Sequence, residues 1–313
     1  LEAIDGRKDF RAFFNAGGLS DSFNALPVYY FHSRGKPAIV VQHGDHGLAH
    51  TAITVYSECG HDGYCFSWGN AFSAMYDSRK KGSCSIIPTG SYLIENIRRK
   101  RRPRKRIEKI CYVQDVFRVN TAYYPDGQSC CDSEIFLLEA EFLKALIPYQ
   151  DRYEITFKMF PAWSKYNELF GYNPMIKWVR KHLPSARLVS APLSSIINDF
   201  DCFIIDWPST TLIQSCATAA EVLVYNGSKY RVLDKKVVEL LGHRAIIGDS
   251  ESDFRAKITK VLESGAVTSN VDDTSFLEWC GIYKDDGQCL QRLVGAVDAV
   301  LQRATGRYSG RFV

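Results

Sequence analysis

Short apolar runs alternate with amphipathic ones along most of the chain. Pro37 to Gln42 (Pro-Ala-Ile-Val-Val-Gln) is brief, apolar and β-branched, the pattern of a strand buried on both faces. It stops at the polar, glycine-rich turn His43-Gly44-Asp45-His46-Gly47. Tyr64 to Trp68 predicts a second strand closed by Gly69-Asn70, and a helix-like stretch follows from Ala71 to Arg79. Ser85 to Pro88 predicts a third strand, closed by Thr89-Gly90-Ser91. A second series begins after residue 106. Strands are predicted at Lys109–Val113, Tyr153–Phe157, Ala186–Val189, Cys202–Ile205 and Glu221–Tyr225. Helices are predicted at Ser133–Leu146, with Ile135, Leu138, Phe142 and Leu146 on one stripe, and at Pro174–Lys181, Ser194–Asn198, Leu212–Ala219, Asp253–Ser264 and Cys289–Arg303. Strands that alternate with helices imply parallel βαβ units, so the expected class is α/β with two Rossmann-like domains. In such sheets ligands bind beyond the carboxyl ends of the strands, where the polar clusters of this chain fall.

Between the two series, residues 98–106 read Arg-Arg-Lys-Arg-Arg-Pro-Arg-Lys-Arg, with eight basic residues in nine. This run divides the chain into an expected N-terminal domain (1–97), a basic linker (98–106) and a C-terminal nucleotide-binding domain (107–313). Like charges repel and Pro103 resists helix, so a solvated linker is one reading. Contact of Arg98, Arg99, Arg101 and Arg102 with an anionic membrane surface or a lipid-linked acceptor is the other. Nucleic acid is not expected as a partner, because no aromatic platform is interleaved with the charges.

Length and composition narrow the class. The 313 residues, 46% of them hydrophobic, suffice for two α/β cores. No uncharged apolar run approaches the ~18 residues of a membrane span, and residues 1–8 lack the apolar stretch of a secretory signal. Most of the ten cysteines sit in apolar surroundings, as buried thiols do in a reducing cytoplasm. A cytoplasmic protein, peripheral at the inner face of a membrane, is therefore expected. The spacing of Cys59, His61 and Cys65 does not suit a metal, so no metal and no cofactor is expected. No GxxxxGK[ST] or GxGxxG segment is present, which argues against a P-loop NTPase and a nicotinamide dehydrogenase.

The segment Asp201-Cys-Phe-Ile-Ile-Asp206-Trp-Pro-Ser209-Thr210-Thr211 resembles the donor-site segment of GT-B glycosyltransferases and CDP-glycerol glycerophosphotransferases. Tyr153–Phe157 with Lys158-Met-Phe-Pro161 resembles their K-x-H-P segment, with Phe160 where His is usual. Gln42-His43-Gly44, Phe66-Ser-Trp68-Gly69 and Ile87-Pro-Thr-Gly90-Ser91 resemble strand-end motifs of their N-terminal domain. Within the group the chain looks most similar to bacterial surface-carbohydrate enzymes of the retaining β-Kdo transferase kind. The resemblance covers roughly residues 35–260. It implies a ligand cleft between two domains and transfer of a sugar, with CMP-Kdo as the narrower donor, onto a cell-surface polysaccharide or glycolipid. Only 97 residues precede the basic run, against the ~150 of a full Rossmann domain, so the N-terminal domain is expected to be incomplete.

Candidate residues follow from strand ends and helix starts. Thr210 and Thr211 are expected at a helix N-terminus, where free N–H groups and the dipole favour phosphate, and Asp206 and Ser209 belong to the same segment. An ordinary Ser/Thr cap without a ligand is the alternative. Lys158 reads either as a phosphate contact or as a solvent-facing lysine. In the His43–Gly47 turn, Asp45 is the candidate base or nucleophile and His43 the acid/base or phosphate group, against a simple Asx/Gly turn. Glu58 is either a second carboxylate for acid/base work or a surface glutamate. Ser194 and Ser195 either contact the nucleotide or cap a helix. Trp68 and Tyr225 are expected as core or rim aromatics. The absence of a DxD segment accords with a transfer that relies on side chains and helix dipoles. The alternatives to a glycosyltransferase are a CDP-glycerol-type polyol-phosphate transferase, a sugar-nucleotide epimerase and a non-catalytic carbohydrate-binding module.

Overall fold

The computed structural model describes residues 10–15, 22–44, 47–49, 63–77, 84–114, 117, 131–160, 173–229, 231–304 and 306, with the backbone alone for 22–25. The chain divides into two compact units: Leu1–Glu95 with Leu277–Val313, and Asn96–Phe276. The expected α/β class with two parallel-sheet domains is what the structure shows.

The first unit holds a parallel sheet in the order β1-β2-β3-β4, formed by β1 (Phe13–Asn15), β2 (Ala38–Val41), β3 (Tyr64–Ser67) and β4 (Ser85–Pro88). The connections carry α1 (Ser22–Ser33), α2 (Asn70–Asp77) and α3 (Tyr92–Arg99). Side chains alternate across a strand, so each face of this sheet needs its own cover. Cys65 packs on Phe72, Met75 and Tyr76 of α2. Ile39, Phe66 and Ile87 pack on Ala296 and Val300. The last two belong to the C-terminal helix Cys289–Ala304. The sequence reading had run the second domain to residue 313, but residues 277–313 group with the first sheet because the C-terminal helix covers its Ile39, Phe66 and Ile87.

A π-helical turn at Glu278–Ile282 fastens this return. It lies so close to two strand-end loops that a side chain at either glycine would clash. A Cβ on Gly69 would fall 2.2 Å from the Trp279 carbonyl oxygen, and one on Gly90 2.5 Å from that of Ile282. Gly90 also has a φ of 82°, in the left-handed region that other residues avoid.

The second unit holds six parallel strands in the order β10-β9-β8-β5-β6-β7. They are β5 (Lys109–Val113), β6 (Glu154–Lys158), β7 (Arg187–Val189), β8 (Cys202–Ile205), β9 (Glu221–Tyr225) and β10 (Ile246–Gly248). The helices are α4 (Asp132–Lys144), α5 (Pro174–His182), α6 (Leu193–Ile196), α7 (Thr210–Cys216), α8 (Lys235–Leu241) and α9 (Glu251–Ser264). One face of the sheet presents Ile110, Tyr112, Ile155, Phe157, Cys202, Ile204, Leu223 and Tyr225 to α4, α5 and α9. Each fully buried side chain of this kind contributes roughly 1.5–3 kcal/mol. The chain runs outward from β5 to β7, then returns to lay β8 to β10 on the other side of β5. The strand order therefore reverses between β5 and β8, the position where doubly wound sheets open a crevice for ligands.

The basic run is only in part the solvated linker that was one of its two readings. It starts inside α3, whose Ile94, Ile97 and Arg98 are buried. It then runs along the amino ends of the strands into β5, and Arg106 bridges to Ala266.

Candidate functional site

At the carboxyl edge of the second sheet, a buried polar network gathers where the strand order reverses. Tyr112 near the end of β5 donates from Oη to Oδ2 of Asp206, just past β8, over 2.6 Å. Glu139 of α4 lies alongside that aspartate and accepts from Gln114 Nε2 at 3.1 Å. Gln114 and Asn173 exchange amide hydrogen bonds, with Asn173 Nδ2 donating to Gln114 Oε1 at 3.1 Å. Asn173 also caps α5, its Oδ1 accepting from the Met175 amide at 3.1 Å. Four segments remote in sequence are thus tied together beneath the crevice.

Asp206 is only 2% exposed, and its Oδ1 has no hydrogen-bond partner among the described residues. Burial pushes its carboxyl up to about 7, partly offset by the Tyr112 hydroxyl, its own amide, a hydrogen bond shared with the Glu139 carboxyl and the Trp207 amide. The sequence reading placed Asp206 among the donor-binding groups. Its side chain instead points into the protein and holds the start of the 206–211 turn, leaving later residues to face the crevice. Trp207, Ser209, Thr210 and Thr211 are all partly exposed.

Ser209 is the N-cap residue of α7, with Thr210 and Thr211 in the first turn, as expected. Its hydroxyl makes no capping bond to the helix and lies 3.0 Å from Thr211 Oγ1. The ordinary cap that was the alternative reading is therefore not formed by this side chain. Two hydroxyls and partial positive charge from the helix start stand together at the crevice.

Lys158 ends β6, one strand from β5, and only 3% of it is exposed. This excludes the solvent-facing reading. Its side chain lies on the sheet face opposite Tyr112 and Phe157, beside Cys111, and its amine donates to the Met159 carbonyl. Among the described residues no carboxylate pairs with it. Burial drives its pKa down to about 8, with Cys111 pulling weakly the other way. A buried cation at a strand end without a counter-ion is suited to receive an anion.

Ser194 and Ser195 follow β7 and open α6, where both are exposed and Ser195 Oγ donates to the Pro192 carbonyl at 2.7 Å. They stand on the carboxyl edge two strands from β5. At the other end of that edge, beyond β9 and β10, a cavity of about 510 Å³ is lined by Tyr225, Gly227, Asp249, Glu251 and Arg255 among others. Its acidic rim, and the Ser250 cap on the Asp253 amide of α9, make it a poor anion site.

In the first unit the three expected motifs stand side by side at the carboxyl edge, and Gln42 organises them. It is 2% exposed, donates from Nε2 to the Gly44 carbonyl at 2.7 Å, and accepts the Trp68 amide at 2.7 Å. The Thr89 amide then donates to the Ser67 carbonyl at 2.9 Å. His43 follows directly and is exposed. Asp45 and Glu58 lie outside the described residues. Trp68 is buried in this row, and Tyr225 is buried against Phe142 and Phe254.

The four arginines assigned to an acceptor or membrane divide into two kinds. Arg98 is buried and donates to the Val271 carbonyl, and Arg101 donates to that carbonyl at 2.6 Å and pairs with Asp272 at 2.8 Å. These two are occupied within the protein, which corrects their assignment. Arg99 and Arg102 are exposed. The sequence reading missed Tyr112, Gln114, Glu139, Asn173 and Gln42. A glutamine closing each of two apolar strands (Gln42 and Gln114), and Asn173 before Pro174, were the signals available.

Of the eight cysteines among the described residues, seven are buried and Cys131 is exposed. No helix among the described residues is long and apolar enough to cross a membrane.

No family model matches this sequence, and no curated protein matches it. Solved structures do. The chain is similar to a Listeria monocytogenes protein assigned as a UDP-N-acetylglucosamine 2-epimerase, with a TM-score of 0.60 and 14% identity over 99% of this chain and 80% of that one. It is similar to the Methanocaldococcus jannaschii UDP-GlcNAc 2-epimerase, solved with UDP-GlcNAc and UDP, with a TM-score of 0.57 and 12% identity over 95% and 78% of the two chains. It is also similar to Anabaena HepE, solved with UDP and glucose, with a TM-score of 0.54 and 9% identity over 95% and 80%. At these identities the likeness establishes the fold, a two-domain α/β architecture of GT-B type.

Proposed function

We propose that this chain is a glycosyltransferase that takes its sugar from a nucleotide-activated donor. The observation that carries the reading is the arrangement at the strand-order reversal. A buried aspartate there fixes a turn whose Ser209 and Thr211 hydroxyls are partly exposed at the crevice, and a buried lysine with no carboxylate partner among the described residues stands at a neighbouring strand end. Phosphate oxygens of a nucleotide would supply the negative charge that Lys158 lacks and accept hydrogen bonds from Ser209, Thr210 and Thr211. Ser194 and Ser195, farther along the edge, suit the nucleoside. The solved neighbours that carry UDP support a nucleotide ligand for this architecture. His43, with Asp45 and Glu58, is the proposed acid/base set of the first domain, acting on a glycan or lipid-linked acceptor.

The test is thermal stabilisation of the full chain by CMP, CDP, UDP, GDP and ADP. A ligand present at about 100 times its Kd adds roughly 2.7 kcal/mol, a shift on the order of 5 °C. Stabilisation by UDP supports a UDP-sugar donor. Selective stabilisation by CMP supports CMP-Kdo, the narrower donor expected from the sequence. No response to any nucleotide refutes the reading.

A sugar-nucleotide epimerase is the second reading, favoured by the two epimerases among the fold neighbours. Incubation with UDP-GlcNAc alone in deuterated water separates the two. Deuterium at C2 without an acceptor identifies an epimerase, whereas turnover that waits for an acceptor identifies a transferase.

A further inference from the structure

The basic run sorts its charges with a period of three. Arg98, Arg101 and Arg104 turn inward: Arg98 and Arg101 to the Val271 carbonyl, and Arg104 to Asp201 at 3.1 Å and the Asn198 carbonyl at 2.7 Å. Arg99, Lys100, Arg102, Lys105 and Arg106 are all exposed. Their side chains make no ion pair or hydrogen bond with the described residues. The inward arginines anchor the segment, so the outward five are displayed on a fixed strip. A solvated linker would let such charges spread apart. This strip keeps five like charges within eight residues, against their mutual repulsion. It runs along the amino ends of the strands, the edge opposite the crevice, so occupying it leaves the crevice clear.

We propose that this outward strip docks the protein on a bilayer surface rich in anionic phospholipid headgroups. Charge complementarity selects the partner class: each Lys or Arg held near an anionic bilayer adds a similar increment of attraction, and five together give stable but salt-sensitive attachment. A nucleic acid is the weaker match, because residues 99–106 hold no aromatic side chain on which a base would stack. The proposal concerns a surface apart from the crevice and stands or falls independently of the donor chemistry.

Co-sedimentation of the full chain with vesicles tests it. One set of vesicles is pure phosphatidylcholine and the other holds 30 mol% phosphatidylglycerol (about a third anionic, near a cytoplasmic leaflet). Wild type should sediment with the anionic vesicles only and be released by high salt. The variant R99Q/K100Q/R102Q/K105Q/R106Q should lose at least ~100-fold in partitioning, at about fivefold per charge. A charge-matched control, K177Q/R180Q/K181Q/K235Q/K236Q, removes five exposed cations elsewhere in the same unit and should bind nearly as wild type. Melting temperatures of both variants check that they remain folded. Failure of wild type to bind anionic vesicles, or equal loss in both variants, overturns the proposal. So does tighter binding of single-stranded or duplex oligonucleotides than of vesicles at equal phosphate and salt.

Discussion

The two edges of the second sheet treat charge in opposite ways. At the amino edge every buried carboxylate is closed off by donors. Asp201 takes the Glu108 and Lys109 amides at 3.0 and 2.9 Å as well as Arg104, and Glu221 takes the Thr268 and Ser269 amides and hydroxyls. The buried Arg244 lies at the same edge, donating from Nε and Nη2 to the Cys216, Thr218 and Ala220 carbonyls, with Nη1 left without a partner among the described residues. At the carboxyl edge, among the described residues, Asp206 keeps one oxygen without a hydrogen bond, Lys158 has no carboxylate partner, and the Ser209 hydroxyl bonds to Thr211 in place of a cap on its helix. The carboxylates are pinned to loops at one edge, whereas at the other a buried acid and a buried amine stand without an ion-pair partner among the described residues. A buried ionisable group without a counter-ion costs stability, so the edge that holds Asp206 and Lys158 is the one a ligand would complete.

The largest effect that would sharpen this contrast is at the closed edge. Asp201→Ala strands Arg104 and two backbone amides, and should destabilise the fold by about 3–5 kcal/mol in urea unfolding while leaving nucleotide affinity unchanged. A drop in affinity equal to that of an open-edge variant would break the comparison.

Asp206 gives the next effect, through pH. Its folded-state value near 7 stands above the ordinary carboxylate value of about 3.9, so the folded state holds a proton that the unfolded state has released. Stability from this group is complete below about pH 4 and falls as pH rises to about 7, by roughly 4 kcal/mol. Asp206→Asn should flatten that slope in denaturant titrations run across the window.

Lys158→Met should behave contrarily to most buried substitutions. Charging a lysine whose value has dropped to about 8 opposes folding at neutral pH, so its removal should stabilise the protein by about 1–3 kcal/mol. Wild type should gain stability between about pH 8 and 10.4, and the variant should not. Nucleotide affinity, read by calorimetry, should fall tenfold or more. A variant that is less stable yet binds normally would make Lys158 a structural residue.

The smallest effect is Ser209→Ala. An N-cap serine ordinarily contributes about 1 kcal/mol, but this one makes no capping bond, so the loss should stay below about 0.5 kcal/mol in melting experiments.

Local pattern made much of the fold legible. β5, β8 and β9 stand where apolar, β-branched runs put them, and α5 follows from Asn173-Pro174. α3 was hidden because its last turn carries the start of the basic run, although Ile94 and Ile97 form its buried side. α8 carries a readable start in Asp234, which caps the Lys236 and Val237 amides, with Gly242 at its end. β10 has only three residues and the π-helical turn has no periodic signature. The crevice was half visible. Ser209 to Thr211 could be found from a strand end followed by hydroxyls. The Tyr112–Asp206 bond spans 94 residues of sequence and joins types that are common in any core, so spacing could not reveal it.

The return of the C-terminal helix to the first sheet has a consequence for the order in which the protein is made. Ile39, Phe66 and Ile87 leave the ribosome early, yet the Ala296 and Val300 that cover them come about 200 residues later. At roughly 5–20 residues per second this is a delay on the order of 10–40 s. The second unit, continuous from Asn96 to Phe276, is complete before that interval ends. Of the two units, the one whose strands are made first is therefore the one that finishes folding last, and until it does, Ile39, Phe66 and Ile87 wait for the helix that covers them.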